Sequence, residues 1–367
     1  AALGFQAYLQ AHGEFPDKHL AKAALMASSE DMHYDVFKQA TGWLDAGTFC
    51  EYMSEQGGTL SMSQGPNYPT SALYPGDVYG TSYELFPNFM VPGAEDVELV
   101  TTANKGDEDV TVDISSELLI RTGSDEFNVI VRGPNAKLVD ITDYIPEGTD
   151  LLKVTMYCPM SVFDPELDSV ENMDYWIELH DWVDLNGNGK FDAVANSPVV
   201  WELFRFTYEA SVCNYNQLML KDPLERITDG LILRIRPTVA MPNSEFTVHL
   251  DYYSMQEFPW VKFREAGSED AFTSHLSLQV PAGGEVSWEA QISVPDGVPI
   301  GTYGAGIYIS DGSRIQCMPV VINVPATDYE FEFGGESLFD TPYNNDIVGV
   351  ADRWWRFEVG DWRIYWC

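Results

Sequence analysis

The sequence predicts a mainly β fold, in which a short N-terminal helical segment precedes tandem antiparallel β-sandwich modules. Three observations carry that expectation. From about Tyr83 onward, short runs of β-branched and aromatic residues alternate with Pro, Gly, Asn and Asp turns at intervals of roughly 8 to 15 residues, the rhythm of a sandwich. Helical periodicity is confined to the residues before Gly57. Hydrophobic residues make up 45% and aromatic residues 13% of 367 positions, enough to fill several cores and to set disorder aside. That length implies about two to four domains.

The first block, Ala1 to Ala11, is nearly all apolar, with Leu3, Phe5, Tyr8 and Leu9 set among the small residues Ala2, Gly4, Ala7 and Ala11. A helix apolar on every side is expected to be buried, and Gly13 suits its C-terminal cap. Pro16 is expected to open a second helix, because its fixed φ is harmless in a first turn, and Leu20, Ala24 and Ala27 then recur at i, i+4 and i+7. This helix ends in Leu25-Met26-Ala27-Ser28-Ser29. The third block, Tyr34 to Ala46, reads as a turn leading into a helix that continues to about Met53.

In order and spacing these blocks resemble the end of the catalytic domain in subtilisin-like serine proteases (subtilases), just after the Gly-Thr-Ser-Met-Ala segment that bears the nucleophile. There a buried helix, a second helix ending near Leu-Met-x-Ser-Ala, and a Gln-Gly-Ala-Gly-x-Val-Asn/Asp-Ala turn follow one another. Here the turn is Gln39-Ala40-Thr41-Gly42-Trp43-Leu44-Asp45-Ala46, and Ala40 and Thr41 in place of Gly and Ala relax its tight geometry. The family's Asp, His and Ser have no counterpart, since neither Gly-Thr-Ser-Met nor His-Gly-Thr occurs, so no residue takes a catalytic role. The resemblance covers about 50 of 367 residues. It implies that the chain begins just downstream of the serine, that its partner is the upstream catalytic domain of the same polypeptide, and that the substrate is a protein or peptide.

Residues 58–82, rich in Pro, Gly, Ser and Tyr from Ser61 to Gly80, have neither period and read as an ordered linker. A first sandwich is expected over 83–226. It opens with Val97–Thr101 and Val110–Ile114 as a hairpin about Asn104-Lys105-Gly106-Asp107, and continues with strands at Leu151–Cys158, Tyr175–His180 and Glu202–Tyr208. A second is expected over 227–326, with strands at Leu231–Ile235, Phe246–Leu250, Gly284–Ile292, Gly301–Ile309 and Met318–Val324. The stretch from Val294-Pro295 through Gly301-Thr302-Tyr303 to Val324-Pro325 resembles the last strands of the fibronectin-III or immunoglobulin-like modules that follow many secreted subtilases, which supports a fold more than a function. Residues 327–367 are expected to start a further β module, cut off at Cys367 in mid-pattern.

With 57 acidic against 20 basic residues, the formal charge of −37 excludes nucleic acid and anionic lipid as partners, because both are polyanions. Such a surface suits an extracellular or cell-surface protein in a salty medium, where screening shortens self-repulsion to roughly 3 Å at about 1 M salt. No run approaches the ~20 apolar residues that span a bilayer. The five cysteines, Cys50, Cys158, Cys213, Cys317 and Cys367, include no Cys-x-x-Cys pair, which argues against zinc or a redox motif. Cys158 and Cys213 fall in one expected sandwich and are either a disulfide or buried free thiols.

One segment carries recognisable site chemistry. Asp184-Leu185-Asn186-Gly187-Asn188-Gly189-Lys190-Phe191-Asp192 puts oxygen side chains at positions 1, 3, 5 and 9 of a calcium loop and Gly at position 6, with the Lys190 carbonyl at position 7. Position 12, where a signalling EF-hand has its bidentate Glu, is Ala195. The loop resembles the Asp-x-Asn-x-Asn-Gly-x-x-Asp loops of extracellular dockerin-like and β-sandwich modules. Asp184, Asn186, Asn188, Lys190 and Asp192 are therefore the expected Ca²⁺ ligands; the plainer alternative is a polar Asx-turn loop with no ion.

Weaker candidates have bland readings beside them. His180-Asp181 is a general base or a structural pair; Trp354-Trp355 and Trp362, Tyr365 and Trp366 stack sugars or fill a core; and Asp164, Glu166, Asp168, Glu171 and Asp174 hold a second cation or form a solvated loop. Two functions are thus expected in competition. One is the calcium-stabilised C-terminal portion of a secreted subtilisin-like endopeptidase. The other is a surface-layer, filament or adhesin subunit that reuses a subtilase-derived scaffold and self-assembles through its β modules.

Overall fold

The computed structural model describes residues 1–16, 18–54, 58–63, 83–85, 89–131, 136–157, 175–192, 201–211, 215–237, 244–325 and 338–342. Antiparallel strands dominate, as the sequence predicts. The chain groups into two units, the first from Ala1–Leu118 with Met255–Phe339 and the second from Leu119–Ser254 with a piece beginning at Asp340.

In the first unit, α1 (Ala2–His12) ends where expected, with Gly13 at φ 77° donating its N–H to the Leu9 carbonyl at 2.8 Å. The expectation of burial fails. Only Gly4 is buried, while Leu3 is 75% exposed. The reason is that one stripe alone finds a neighbour: Phe5 meets Phe49 edge-on at 5.9 Å, and a Cβ on Gly4 would lie 2.3 Å from the Phe49 ring. The second helix, α2 (Lys18–Ala27), buries Ala23, Ala24 and Ala27 completely.

The third block resolves into a compact series. Asp35 accepts the Phe37 N–H at 2.9 Å to start α3 (Val36–Gln39). Gly42, at φ 111°, then turns the chain where a Cβ would sit 2.0 Å from the Glu30 carbonyl oxygen, so that β2 (Trp43–Leu44) can pair with β1 (Ser29–Glu30). Asp45 accepts the N–H groups of Gly47 and Thr48 at 2.8 and 3.2 Å and opens α4 (Ala46–Ser54).

These helices are fixed to the strands of the same unit. Val36 and Phe37 press on Gly304 of β16 (Gly301–Ser310), and Arg314 donates to the Tyr52 hydroxyl and the Ser29 carbonyl at 3.1 Å each. The β3 strand (Thr59–Ser63), inside the expected linker, pairs with β4 (Glu95–Asn104) because alternate partners Ser61 and Thr102 share a buried hydroxyl contact of 2.8 Å. β4 also pairs with β15 (Glu285–Ser293), and β15 with β13 (Val261–Glu265), which completes one sheet. In the other, the first half of β5 (Val110–Val131) lies between β14 (His275–Val280) and β16, and β17 (Ile315–Val324) follows. Trp288, fully buried, anchors the core with its indole N–H on the Thr102 hydroxyl at 2.9 Å.

The expected hairpin between β4 and β5 does not form. Its strands belong to different sheets. The Asn104 side chain accepts the Gly106 N–H at 2.9 Å and donates to the Glu108 and Val280 carbonyls at 2.8 and 3.2 Å, an Asx turn that carries the chain across the sandwich.

The second unit is also a sandwich. One sheet runs β10 (Tyr215–Lys221), β7 (Leu151–Tyr157), β12 (Ser244–Glu257) and the later part of β5; the other runs β6 (Lys137–Asp140), β11 (Gly230–Pro237), β8 (Tyr175–Trp182) and β9 (Leu203–Ser211). Their shared core takes Leu152, Val154 and Met156 from β7 and Val248 and Leu250 from β12. Facing them are Ile177 and Leu179 from β8 and Leu231, Leu233 and Ile235 from β11.

The grouping is not a linear series of modules, since β5 and β12 each contribute residues to both units. Cys158, Cys213 and Cys367, the acidic run from Asp164 to Asp174 and the Trp clusters after Arg353 lie outside the described residues, whereas Cys50 and Cys317 are free thiols.

Candidate metal centre

The loop singled out in the sequence leaves the end of β8 in the second unit and is pinned at both ends. Val183 donates its N–H to the Glu202 carbonyl at 3.0 Å, and Trp201 donates to the Asp192 carbonyl at 3.2 Å. Phe191 meets Trp182 edge-on at 4.9 Å, which ties the loop to the strand it leaves. Gly187 and Gly189 sit at φ 71° and 67°, so the glycines supply the left-handed turns that the tight wrap needs.

Four of the five expected ligand side chains converge within this wrap. Asp184 accepts the N–H groups of Asn188 and Gly189 at 3.0 and 2.7 Å. Both amides, from Asn186 and Asn188, donate to one oxygen of Asp192, the latter at 2.9 Å. The Asn186 and Asn188 carbonyl oxygens accept the Asn188 and Lys190 N–H groups at 3.1 and 2.8 Å. Of Lys190 it is the backbone N–H that takes part, donating to the Asn188 side chain, whereas position 7 of a calcium loop calls for the carbonyl.

Sequence reasoning missed Glu202. It is fully buried, and its two carboxylate oxygens accept the Leu185 and Asp192 N–H groups at 3.2 and 3.1 Å, so one side chain braces both ends of the loop. The signal was a single acid within Val199-Val200-Trp201-Glu202-Leu203-Phe204, where burial of a charge demands partners. Asp229 plays a lesser part, accepting the Asp184 N–H at 2.8 Å. Among the described residues, no three His, Cys, Asp or Glu side chains gather as a metal cluster. Any ion here would rest on two carboxylates plus amide and backbone oxygens.

His180 and Asp181 do not act together. Alternation puts them on opposite faces of β8: His180 meets Glu178 at 3.1 Å, while Asp181 accepts the Thr228 N–H and hydroxyl at 2.8 and 2.9 Å. In the first unit, Cys317 is buried beside Gln39, whose amide donates to Asp31 at 2.6 Å. Burial, then the charge of Asp31, pushes that thiol well above its ordinary range, so it stays protonated and is no nucleophile.

No family model matches the chain, and no curated protein matches it. Among solved structures, it is similar to a family 123 glycoside hydrolase from Clostridium perfringens at 8% identity and a TM-score of 0.24, over 73% of this chain and 27% of that one. It is also similar to AvmM, which catalyses macrocyclization in alchivemycin A biosynthesis, at 11% identity and a TM-score of 0.16, over 66% of this chain and 88% of that one. Likenesses this slight carry no argument about function.

Proposed function

We propose that this chain is the non-catalytic, calcium-stabilised β-sandwich portion of a secreted subtilisin-like serine endopeptidase, which supports the catalytic domain of the same polypeptide. The observation that carries the reading is the uncovered apolar surface of the helical segment. Leu3, Phe15, Trp43 and Leu44 are all exposed, with Trp43 at 70%, although the segment's other face is bound to the sandwich. Large exposed apolar groups in one segment mark an interaction surface, and in the subtilase resemblance the body of the catalytic domain covers these helices. Helices α1 and α2 and then the Gln39–Ala46 turn follow one another in the order that the resemblance implies, although α1 lacks the burial expected of it.

Calcium belongs to the same reading. The Asp184 and Asp192 carboxylates and the Asn186 and Asn188 amide oxygens would together offer the hard cation oxygens at its usual distance of about 2.3 to 2.6 Å, the ion taking the place of the amide N–H contacts that Asp192 now accepts. Its role would be structural, since the loop hangs between strands rather than between mobile helices. In a secreted or cell-surface setting, millimolar calcium suffices for a site with only two loop carboxylates.

Peptide mapping of the native material by mass spectrometry tests the protease reading. Peptides upstream of Ala1 that contain Gly-Thr-Ser-Met-Ala support it. An upstream segment in which that serine is replaced turns the reading to a structural subunit that assembles through its β modules.

A further inference from the structure

The outer face of the β6-β11-β8-β9 sheet carries charge of the opposite sign to the rest of the chain. Since Ile177 and Leu179 of β8 enter the core, Trp176, Glu178 and His180 face the other way. Register then sets Arg236 opposite Trp176 and Arg234 opposite Glu178 on β11, and Tyr208 opposite Glu178 on β9. Glu178 is buried at the centre. Arg234 donates to it at 3.0 Å and a His180 ring nitrogen lies 3.1 Å away, while Arg205 and Arg236 stand 3.6 and 3.7 Å from its other oxygen. Burial raises the Glu178 pKa, but the His180 hydrogen bond and the charges of Arg234 and Arg236 outweigh it and hold the carboxyl below its ordinary range.

Over this carboxylate runs a four-layer ladder. The Arg236 guanidinium lies 4.8 Å from the Trp176 ring, Trp176 stacks on Tyr208 at 5.1 Å and 9°, and Arg205 covers Tyr208 at 4.3 Å. Among the described residues, three guanidinium groups around one carboxylate leave two positive charges in excess, in a chain whose net charge is −37. Stacking on Trp176 and Tyr208 holds Arg236 and Arg205 in place, but a ring face does not neutralise a guanidinium charge. The outermost pair face water, with the Arg205 and Arg236 side chains 46% and 38% exposed. Beneath them, Arg236 Nε and His180 Nδ1 are buried without a hydrogen-bond partner among the described residues.

We infer that this face binds a short acidic peptide segment of a partner protein, whose carboxylates engage the exposed Arg205 and Arg236. The guanidinium fork matches a carboxylate in shape and charge. Both outer faces of the Trp176–Tyr208 pair are taken by guanidinium groups, so no open ring remains on which a sugar could stack. The chain's overall charge repels a long polyanion, yet screening beyond about 8 Å at physiological ionic strength leaves the local cations free to act on a short segment. This inference is independent of the calcium and protease readings.

Isothermal titration of the full chain with acetyl-Glu-Thr-Glu-Thr-Glu-amide tests it, with the Gln-for-Glu peptide and trigalacturonate as comparison ligands. The expected result is saturable binding of the Glu peptide alone, weakened about tenfold by R205Q or R236Q while the thermal midpoint holds. Absence of binding, equal binding of the Gln peptide, or tighter binding of trigalacturonate overturns the proposal. Should a Gln variant unfold, R205K keeps the charge and loses the fork. Undiminished peptide binding by R205K would then count against the arginine-fork assignment, and weakened binding would support it.

Discussion

Two acids of the loop separate ion binding from bracing. Asp192 gathers both Asn amides, whereas Glu202 holds only backbone N–H groups. In the calcium reading, Asp192→Ala abolishes the rise in thermal midpoint that calcium gives the chelated wild type and costs little in its absence. Glu202→Gln turns an amide NH₂ toward a backbone donor and costs about 1–3 kcal/mol with or without the ion. Calorimetry of both variants in chelator and in calcium distinguishes these roles, and an unchanged wild-type midpoint on adding calcium sinks the site. A second residue-scale expectation concerns pH. Burial, then the charge of Asp96, raises the Glu98 pKa from 4.5 to about 7, and burial raises Asp35 from 3.8 to about 6. Each folded-state value exceeds the unfolded one, so both acids stabilise the fold most at low pH and lose that contribution as pH rises through these windows. Glu98→Gln should flatten the fall in stability between pH 4.5 and 7, read as chemical denaturation midpoints at each pH. The gathering of Asp184, Asn186, Asn188 and Asp192 in one loop was legible in the sequence because their spacing is local. Glu202 was not, because its partners lie 17 and 10 positions away.

The elements themselves followed local rules where those rules acted alone. Gly13 capped α1, and the apolar alternation of β15, β16 and β17 placed those strands close to their observed bounds. Reading failed where a side chain competed with the backbone, as Asn104 did in place of a hairpin turn, and where a helix's neighbours lay outside its own pattern, as for α1. Asp45 is the clearest test at this scale. Hydrogen bonds from the Thr48 side chain and backbone hold its carboxyl below the ordinary range. Asp45→Ala should therefore destabilise the first unit by about 1 kcal/mol at neutral pH through loss of the α4 cap. A folded pKa below the unfolded 3.8 means that this contribution is present above pH 3.8 and lost as pH falls through the lower folded value. Wild type and variant should converge in acid, and a gap that stays constant down to pH 2 would mean that the carboxylate is not the cap.

At the scale of the molecule, composition announced sandwiches, but topology hid their membership. Strand pattern in a single sequence does not reveal that β5, of 22 residues, and β12, of 14, serve two units each, because the pairing that divides them is set by partners remote in sequence, such as Tyr157 for Thr247 and Ser115 for His275. Such long-range strand pairing should make folding slow, since loop closure precedes any reward from contact. Charge acts on both units at once. With 57 acids and 20 bases, mutual repulsion of exposed carboxylates opposes compaction, and it weakens as the Debye length falls from about 30 Å at 0.01 M salt to about 3 Å at 1 M. The cation-rich face around Glu178 responds oppositely, because salt screens its attractions. That face holds few of the charges, so repulsion dominates. Raising sodium chloride from 0.01 to 1 M in the presence of chelator should therefore raise the thermal midpoint. A midpoint that falls with salt would show that paired charges, not the net excess of acid, govern the stability of this chain.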